Sequence, residues 1–388
     1  MEKGDTVTKN LHLLYPASLY PHTAGGSLRS LPLAKLALDC FEDVTIFATD
    51  EKIRYEGHID GVHIVQAIKF NSYLEKLQYF TEGLFSRNFS LKVPKTALYN
   101  KNSSIFQLEG PYFYNFLKKQ GINKFILDEH NIYWELLKFP STNPKEILYN
   151  KIACSRDNKI EVDALNAASH ILVCSERDKQ LIIAQIPYIA DKITVIPNCV
   201  FARDYSEYMM HSPIKDEGNN PISVLFVGSL SYAPNIDAVR IVCSQIAPSF
   251  GDEVQFHIVG KNPPNIPKPS NVTFMGYVDD IKECILKSDI CIAPLRYGSG
   301  TRFKILEYMA MGKPVISTSK GAEGIDYTND KNILIEDDLD AFSEKIRILL
   351  DDKKMRDNIG KNAMDLIKQK YDWEIYRKTL HAVYESCM

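Results

Sequence analysis

The chain has no CxxC pair, no run of 18 apolar residues and no large excess of either charge. Each absence closes a route. Its eight cysteines, Cys40, Cys154, Cys174, Cys199, Cys243, Cys284, Cys291 and Cys387, are scattered, several of them inside apolar strand-like runs. They read as reduced core residues rather than a zinc site or a disulfide framework. Without a long apolar run there is no spanning helix, so any membrane contact has to be made from the surface. A formal net charge of -3 lacks the basic balance of a nucleic-acid binder. The first residues, MEKGDTVTKN, are polar and show no secretory signal, which leads to the expectation of a cytoplasmic protein, peripheral to a membrane at most. The first strand is followed by PHTAGG at 21–26, not by the GxGxxG loop that an NAD-dependent dehydrogenase or epimerase wants there.

What is present is an ordinary globular composition, 45% apolar and 24% charged, over 388 residues, a length that suits two domains. Apolar, β-branched runs at 11–15, 44–48, 62–67, 104–108, 124–127, 171–174 and 192–196 alternate with amphipathic stretches. One of these, 28–38, presents Leu28, Leu31, Ala34 and Leu38 broadly to one side, with Pro32 obscuring where the helix starts. The pattern restarts at 223–227, 254–259, 272–275, 289–293, 314–318 and 332–335. Strands alternating with helices predict an α/β fold used twice. The domains expected are 1–204 and 221–370, with the Gly-, Asn-, Pro- and Asp-containing segment 205–220 as linker. Helices are expected at 339–350, 353–370 and 372–386.

The segment 298–324, GSGTRFKILEYMAMGKPVISTSKGAEG, is the most informative. Small residues after a strand allow a backbone to approach a phosphate, and the start of the next helix turns its free N–H groups toward the anion. Thr301 can cap that helix, Arg302 can supply charge-assisted hydrogen bonds, and Glu307, one turn past Phe303, can accept from a ribose diol. A glycine-rich turn alone would be an even bet between a ligand loop and a structural one.

The whole run resembles the donor-binding region of the GT-B family 4 glycosyltransferases, in the subgroup with a GSGTR-like loop. The resemblance implies two Rossmann-like domains facing each other across a cleft, with the last helix, 371–388, returning to the first domain. It also implies that Glu307 holds the nucleotide ribose. The family's first glutamate would fall at Ser299, and the arginine and lysine that usually clamp the diphosphate would fall near Ser229 and Pro234 in the run FVGSLSYAPN. The donor-site expectations are therefore Gly228, Ser229, Lys261, Ser299, Gly300, Thr301, Arg302, Lys304, Glu307 and Glu323. Arg302 and Lys304 are expected to neutralise the diphosphate, with water-facing placement the other reading of Lys304.

In the first domain the resemblance puts Gly25 and Gly26 beside the transferred sugar or diphosphate, although the pair also suits a simple helix-entry turn. The run FILDEHNIYW ends a strand with Asp128, Glu129 and His130, where α/β enzymes place ligand groups. His130 is the first catalytic candidate, Glu129 and Glu109 the others, and a structural histidine is the alternative. The resemblance implies a retaining enzyme that moves a hexose from a nucleotide-diphosphate sugar, without a metal or other cofactor. The acceptor expected is a glycolipid, a polyprenyl-linked glycan or another glycan, and the basic amphipathic stretch 69–95 adds a possible anionic membrane surface. A non-catalytic nucleotide-sugar-binding protein and the NAD-dependent enzyme are the competing classes.

Overall fold

The computed structural model describes residues 10–19, 27–50, 53–68, 103–136, 158–212, 221–298 and 300–388. The chain divides into two compact units, Met1–Pro197 with Tyr376–Met388, and Asn198–Ile375.

The first unit is built on β1 (Asn10–Leu14), β2 (Asp43–Asp50), β3 (Tyr55–Ile59), β4 (Val62–Ile68), β5 (Ser104–Glu109), β6 (Phe125–Glu129), β7 (His170–Val173) and β8 (Ile193–Val195). They form one sheet in the order β3-β4-β2-β1-β5-β6-β7-β8. β1 is buried at every residue, as a central strand of a parallel sheet covered on both faces must be. The winding reverses between β1 and β5, and ligand groups in such sheets collect beyond the strand ends at that switch point. β3 is an addition to the strands read from the sequence. It pairs antiparallel to β4 through Asp60 and Gly61, both at positive φ, the geometry of a two-residue hairpin turn.

The helix Ser27–Ala37 is rotated from its expected setting. Its buried side carries Arg29, Ser30, Leu33, Ala34, Leu36 and Ala37, while Leu28 is 38% exposed. Two polar residues replace leucines on the inner face because partners on β5 and β6 await them. Pro32 lies inside this helix. The closing helix, Trp373–Ser386, joins the first unit from Tyr376 onward, with His381 Nε2 on Leu36 O at 3.2 Å and the Tyr384 ring edge-on to Phe41.

The second unit carries β9 (Ile222–Val227), β10 (Val254–Val259), β11 (Val272–Gly276), β12 (Ile290–Ala293), β13 (Val315–Ser317) and β14 (Leu334–Ile335), all parallel, in the order β11-β10-β9-β12-β13-β14. Its core joins Val224, Phe226, Phe256, Ile258, Ile292 and Ile316 to Phe342 and Ile346 of the helix Leu339–Asp351. The winding reverses between β9 and β12. The boundary falls after Pro197 rather than at 204. Residues 205–211 are not linker but part of the helix Ala202–His211, held in the second unit by the buried Tyr205, and 213–220 lie outside the described residues. Together the two units, each a wholly or largely parallel sheet, make a two-domain α/β fold.

Candidate functional site

Each unit carries its own cluster of chemistry-bearing side chains at its switch point. In the first unit, β5 ends with Gln107 and Glu109 on one face, and β6 ends with Asp128 and Glu129, followed by His130. His130 Nε2 donates to Glu109 Oε2 at 2.8 Å and lies 3.3 Å from Asp128 Oδ2. Glu109 Oε1 accepts from Gln107 Nε2 at 2.7 Å, and Ser30 Oγ donates to its other oxygen. Arg29 grips Asp128 with Nε at 2.8 Å and Nη2 at 2.6 Å, and sends Nη1 to Ile196 O at 2.9 Å.

These contacts set the charges. Burial alone would raise the Asp128 carboxyl, but Arg29 and His130 outweigh it and hold it at about 2. Burial would lower the His130 imidazole, but its hydrogen bonds to Asp128 and Glu109 prevail and push it up to about 9. His130 is thus an imidazolium at neutral pH. Its side chain is 20% exposed, whereas Asp128 and Glu109 are sealed beneath it. Glu109, Asp128 and His130 lie close enough to suggest a cation site. They do not fit one well: Arg29 already neutralises Asp128, Glu109 accepts at both oxygens, and a protonated imidazole has no lone pair to give a metal.

Glu129 is not brought together with His130. Successive strand residues point to opposite faces, so Glu129 turns away from Asp128 and His130. It is 1% exposed, its two oxygens find no hydrogen-bond partner among the described residues, and burial followed by the nearby Glu161 pushes its carboxyl well above the usual range. Its surroundings favour the neutral acid over the carboxylate.

In the second unit the helix Phe303–Ala310 starts beyond β12. Its N-cap residue is Arg302, not Thr301, and no side chain among the described residues caps it. Thr301 is buried, and its Oγ1 makes no hydrogen bond among the described residues. Its hydroxyl lies against Gly324 instead, where an added Cβ would come within 2.5 Å of it. Gly298, at φ 118, lets the Arg302 guanidinium lie across it, since a Cβ there would meet Nη2 at 2.6 Å.

Lys304 does not face open water. Its ammonium donates to Asn235 Oδ1 at 2.8 Å, sits 4.2 Å from the centre of the Phe226 ring, and lies against Gly228. Burial, then the neighbouring Arg302, holds it well below the ordinary lysine range. Burial likewise lowers Arg302, with Tyr232 and Glu323 partly offsetting it. Glu307 accepts from Tyr205 Oη at 3.2 Å, and burial raises its carboxyl to about 7 against the opposing pull of Tyr205, Lys282 and Lys304.

The remaining expectations scatter. Lys261 is exposed, with Nζ 4.4 Å from the centre of the Tyr277 ring rather than among the groups around Lys304. Glu323 is ion-paired with Lys320 at 2.6 Å. Gly228 adjoins Lys304, Ser229 is exposed, and Gly300 is half-buried at φ 75. Gly25, Gly26, Ser299 and the stretch 69–95 lie outside the described residues. Arg29, Ser30, Gln107, Asn235, Tyr205 and Tyr384 are the residues that reading from sequence missed. Only Arg29 and Ser30 left a signal, since they share a helical face with Leu33, Ala34, Leu36 and Ala37.

Residues 221–352 match the model of the family described as glycosyl transferases group 1. An uncharacterized glycosyltransferase of Methanocaldococcus jannaschii is 22% identical over 249 residues, 61% of this chain and 63% of its own length. YtcC of Bacillus subtilis, named as a glycosyltransferase, is 23% identical over 377 residues, 89% of this chain and 84% of its own. Among solved structures, the sucrose-phosphate synthase of Thermosynechococcus elongatus superposes with a TM-score of 0.72 at 14% identity, covering 97% of this chain and 98% of that one. HepE of Anabaena, in complex with UDP-glucose, superposes with a TM-score of 0.65 at 16% identity, covering 97% and 99%. No helix among the described residues is long and apolar enough to cross a membrane. The chain thus has the two-domain GT-B fold of these structures, and its match to the group 1 glycosyl transferases lies within the second unit.

Proposed function

We propose that the protein is a retaining glycosyltransferase of family 4, in the subgroup with a GSGTR-like loop. On this reading it moves a hexose from a nucleoside-diphosphate sugar to a glycolipid, polyprenyl-linked glycan or other glycan, without a bound metal. The observation that carries the reading is the Arg302–Lys304 pair. Two cations two residues apart, both lowered by burial and Lys304 lowered further by Arg302, are a poor arrangement for an unliganded protein. A diphosphate between them and the helix start would offset that cost. Glu307 is then the acceptor for the ribose diol, with Tyr205 holding its carboxylate. A protein of the same fold, HepE of Anabaena, has been solved with UDP-glucose, which makes that donor the first to try.

The chemistry follows from what the carboxylates leave undone. Glu109 is saturated with donors, and Glu129 is turned away with its carboxyl raised by burial, so neither suits a general base for the acceptor hydroxyl. The leaving diphosphate takes that proton in a front-face displacement, and the His130 imidazolium donates a hydrogen bond to the reacting sugar. Arg302→Ala tests the donor site directly: an unchanged affinity for the donor would remove Arg302 from it. Nucleotide sugars screened by thermal shift identify the donor, and NMR of the product reports the anomeric configuration, where inversion rejects the retaining assignment. Sedimentation with anionic vesicles tests a lipid-borne acceptor. Full activity on a soluble glycan with no vesicle binding would reject the membrane part.

A further inference from the structure

The hydrogen bonds beneath His130 continue to the last turns of the chain. Tyr384 Oη donates to Gln107 Oε1 at 3.0 Å, Gln107 Nε2 donates to Glu109 Oε1 at 2.7 Å, and Glu109 Oε2 accepts from His130 Nε2 at 2.8 Å. Tyr384 and Gln107 are wholly buried and Glu109 is 1% exposed, so water cannot substitute for a missing link. The direction of the chain is determined. An amide turned the other way would set its carbonyl oxygen against the Glu109 carboxylate, so the phenolic proton of Tyr384 and the carboxylate jointly select one orientation of Gln107.

We propose that Tyr384, on the closing helix, is a positioning residue for His130, acting through Gln107 and Glu109. The proposal rests on the reading of His130 as a working group. Tyr384 never reaches the imidazole; it fixes the amide that steadies the carboxylate on which the imidazole hangs. The closing helix, far from His130 in sequence, is thereby part of its support.

Tyr384→Phe keeps the ring against Phe41 and removes only the hydroxyl. In full-length protein labelled with 15N-histidine, the Nε2–H resonance of His130, identified by its disappearance in His130→Gln, shifts or broadens in Tyr384→Phe. An unmoved resonance overturns the proposal. With UDP-glucose as the probe donor, kcat for UDP release falls about tenfold, as expected for one lost buried hydrogen bond, while KM stays within about twofold. In the His130→Gln background the same substitution costs less than about twofold. An equal loss in both backgrounds means that Tyr384 acts elsewhere and sinks the proposal. If His130→Gln leaves turnover intact, the catalytic reading of His130 fails, and the resonance alone still decides whether Tyr384 positions it. Should Tyr384→Phe not fold, combining it with Gln107→Met removes both partners and leaves no orphaned carbonyl. Because Tyr384 acts only through Gln107, the double variant and Gln107→Met alone must then show the same His130 resonance, and a further shift in the double variant overturns the proposal.

Discussion

Lys304 Nζ donates to Asn235 Oδ1 at 2.8 Å, and this neutral amide, not a carboxylate, is its hydrogen-bond partner. A half-buried ammonium held by an amide and a ring face is under-compensated, which is why it sits well below the ordinary lysine range. Two opposite consequences follow for Lys304→Met. The unliganded protein, relieved of a desolvated charge, keeps its Tm or gains slightly. Donor binding weakens by about 2–5 kcal/mol, as for loss of a buried partner to a charged ligand. Calorimetric titration with UDP-glucose and a melting curve check both. Equal donor affinity for the two proteins would show that Lys304 contacts no phosphate.

If Glu307 accepts from the donor's ribose, as proposed, it ties donor binding to pH. Its folded-state carboxyl lies at about 7 against 4.5 for an ordinary glutamate. Between those values the folded protein holds the extra proton, so the stability contribution is full below 4.5 and is lost as pH rises through 7. A ribose diol donates hydrogen bonds and prefers the carboxylate, so donor affinity rises with pH through about 7. Lys304 works the other way, since a diphosphate prefers the ammonium. Affinity plotted against pH should therefore pass through a maximum. Glu307→Gln removes the rising limb and Lys304→Met the falling one. A rising limb that survives Glu307→Gln would assign it to another group.

How far these features could be read in advance differs by residue, for physical reasons. The second unit was legible because its strands are short apolar runs with period-two or fully buried patterns, and because the loop, helix start and Glu307 are contiguous in sequence. The placement of Lys304 on Asn235 was not, since 69 residues separate them and only the switch point between β9 and β12 brings their loops together. β3 is hard to read although Asp60-Gly61 is a strong hairpin signal, because its own residues, YEGHI, include a glycine and two charged or polar positions. In the first unit His130 was recoverable from the strand end. Its supports were less so: Arg29 shares the inner face of its helix with apolar residues, but Gln107 and Tyr384 come from two further elements and stand in no local pattern that betrays their partners.

His130 makes a distinct prediction for the pH profile. Its imidazole, raised from 6.5 to about 9, contributes stability in full below 6.5, and that contribution is lost as pH rises through 9. If the imidazolium is the donor to the reacting sugar, kcat declines above about pH 9 and not around pH 6.5. His130→Gln lowers kcat about 100-fold, at the low end for a lost general-acid or oxyanion-type donor, and abolishes that decline. A wild-type profile with its break near pH 6.5 would mean that the imidazole works in its neutral form.

Gly260 closes the loops under Lys304. Gly228 N donates to Val259 O at 2.9 Å and Leu230 N to Lys261 O at 3.2 Å, so the loops leaving β9 and β10 run zipped together. A Cβ on Gly260 would lie 1.9 Å from Gly228 O, a backbone atom that cannot rotate aside. Gly260→Ala must therefore separate the loops, at a cost of about 1–3 kcal/mol or more, and Gly228 is the residue against which Lys304 packs. Donor affinity should fall together with stability in this variant, unlike Lys304→Met, which loses affinity alone. A chemical denaturation series run beside the donor titration separates the two patterns, and Gly260→Ala with wild-type stability would refute the close approach of the two loops.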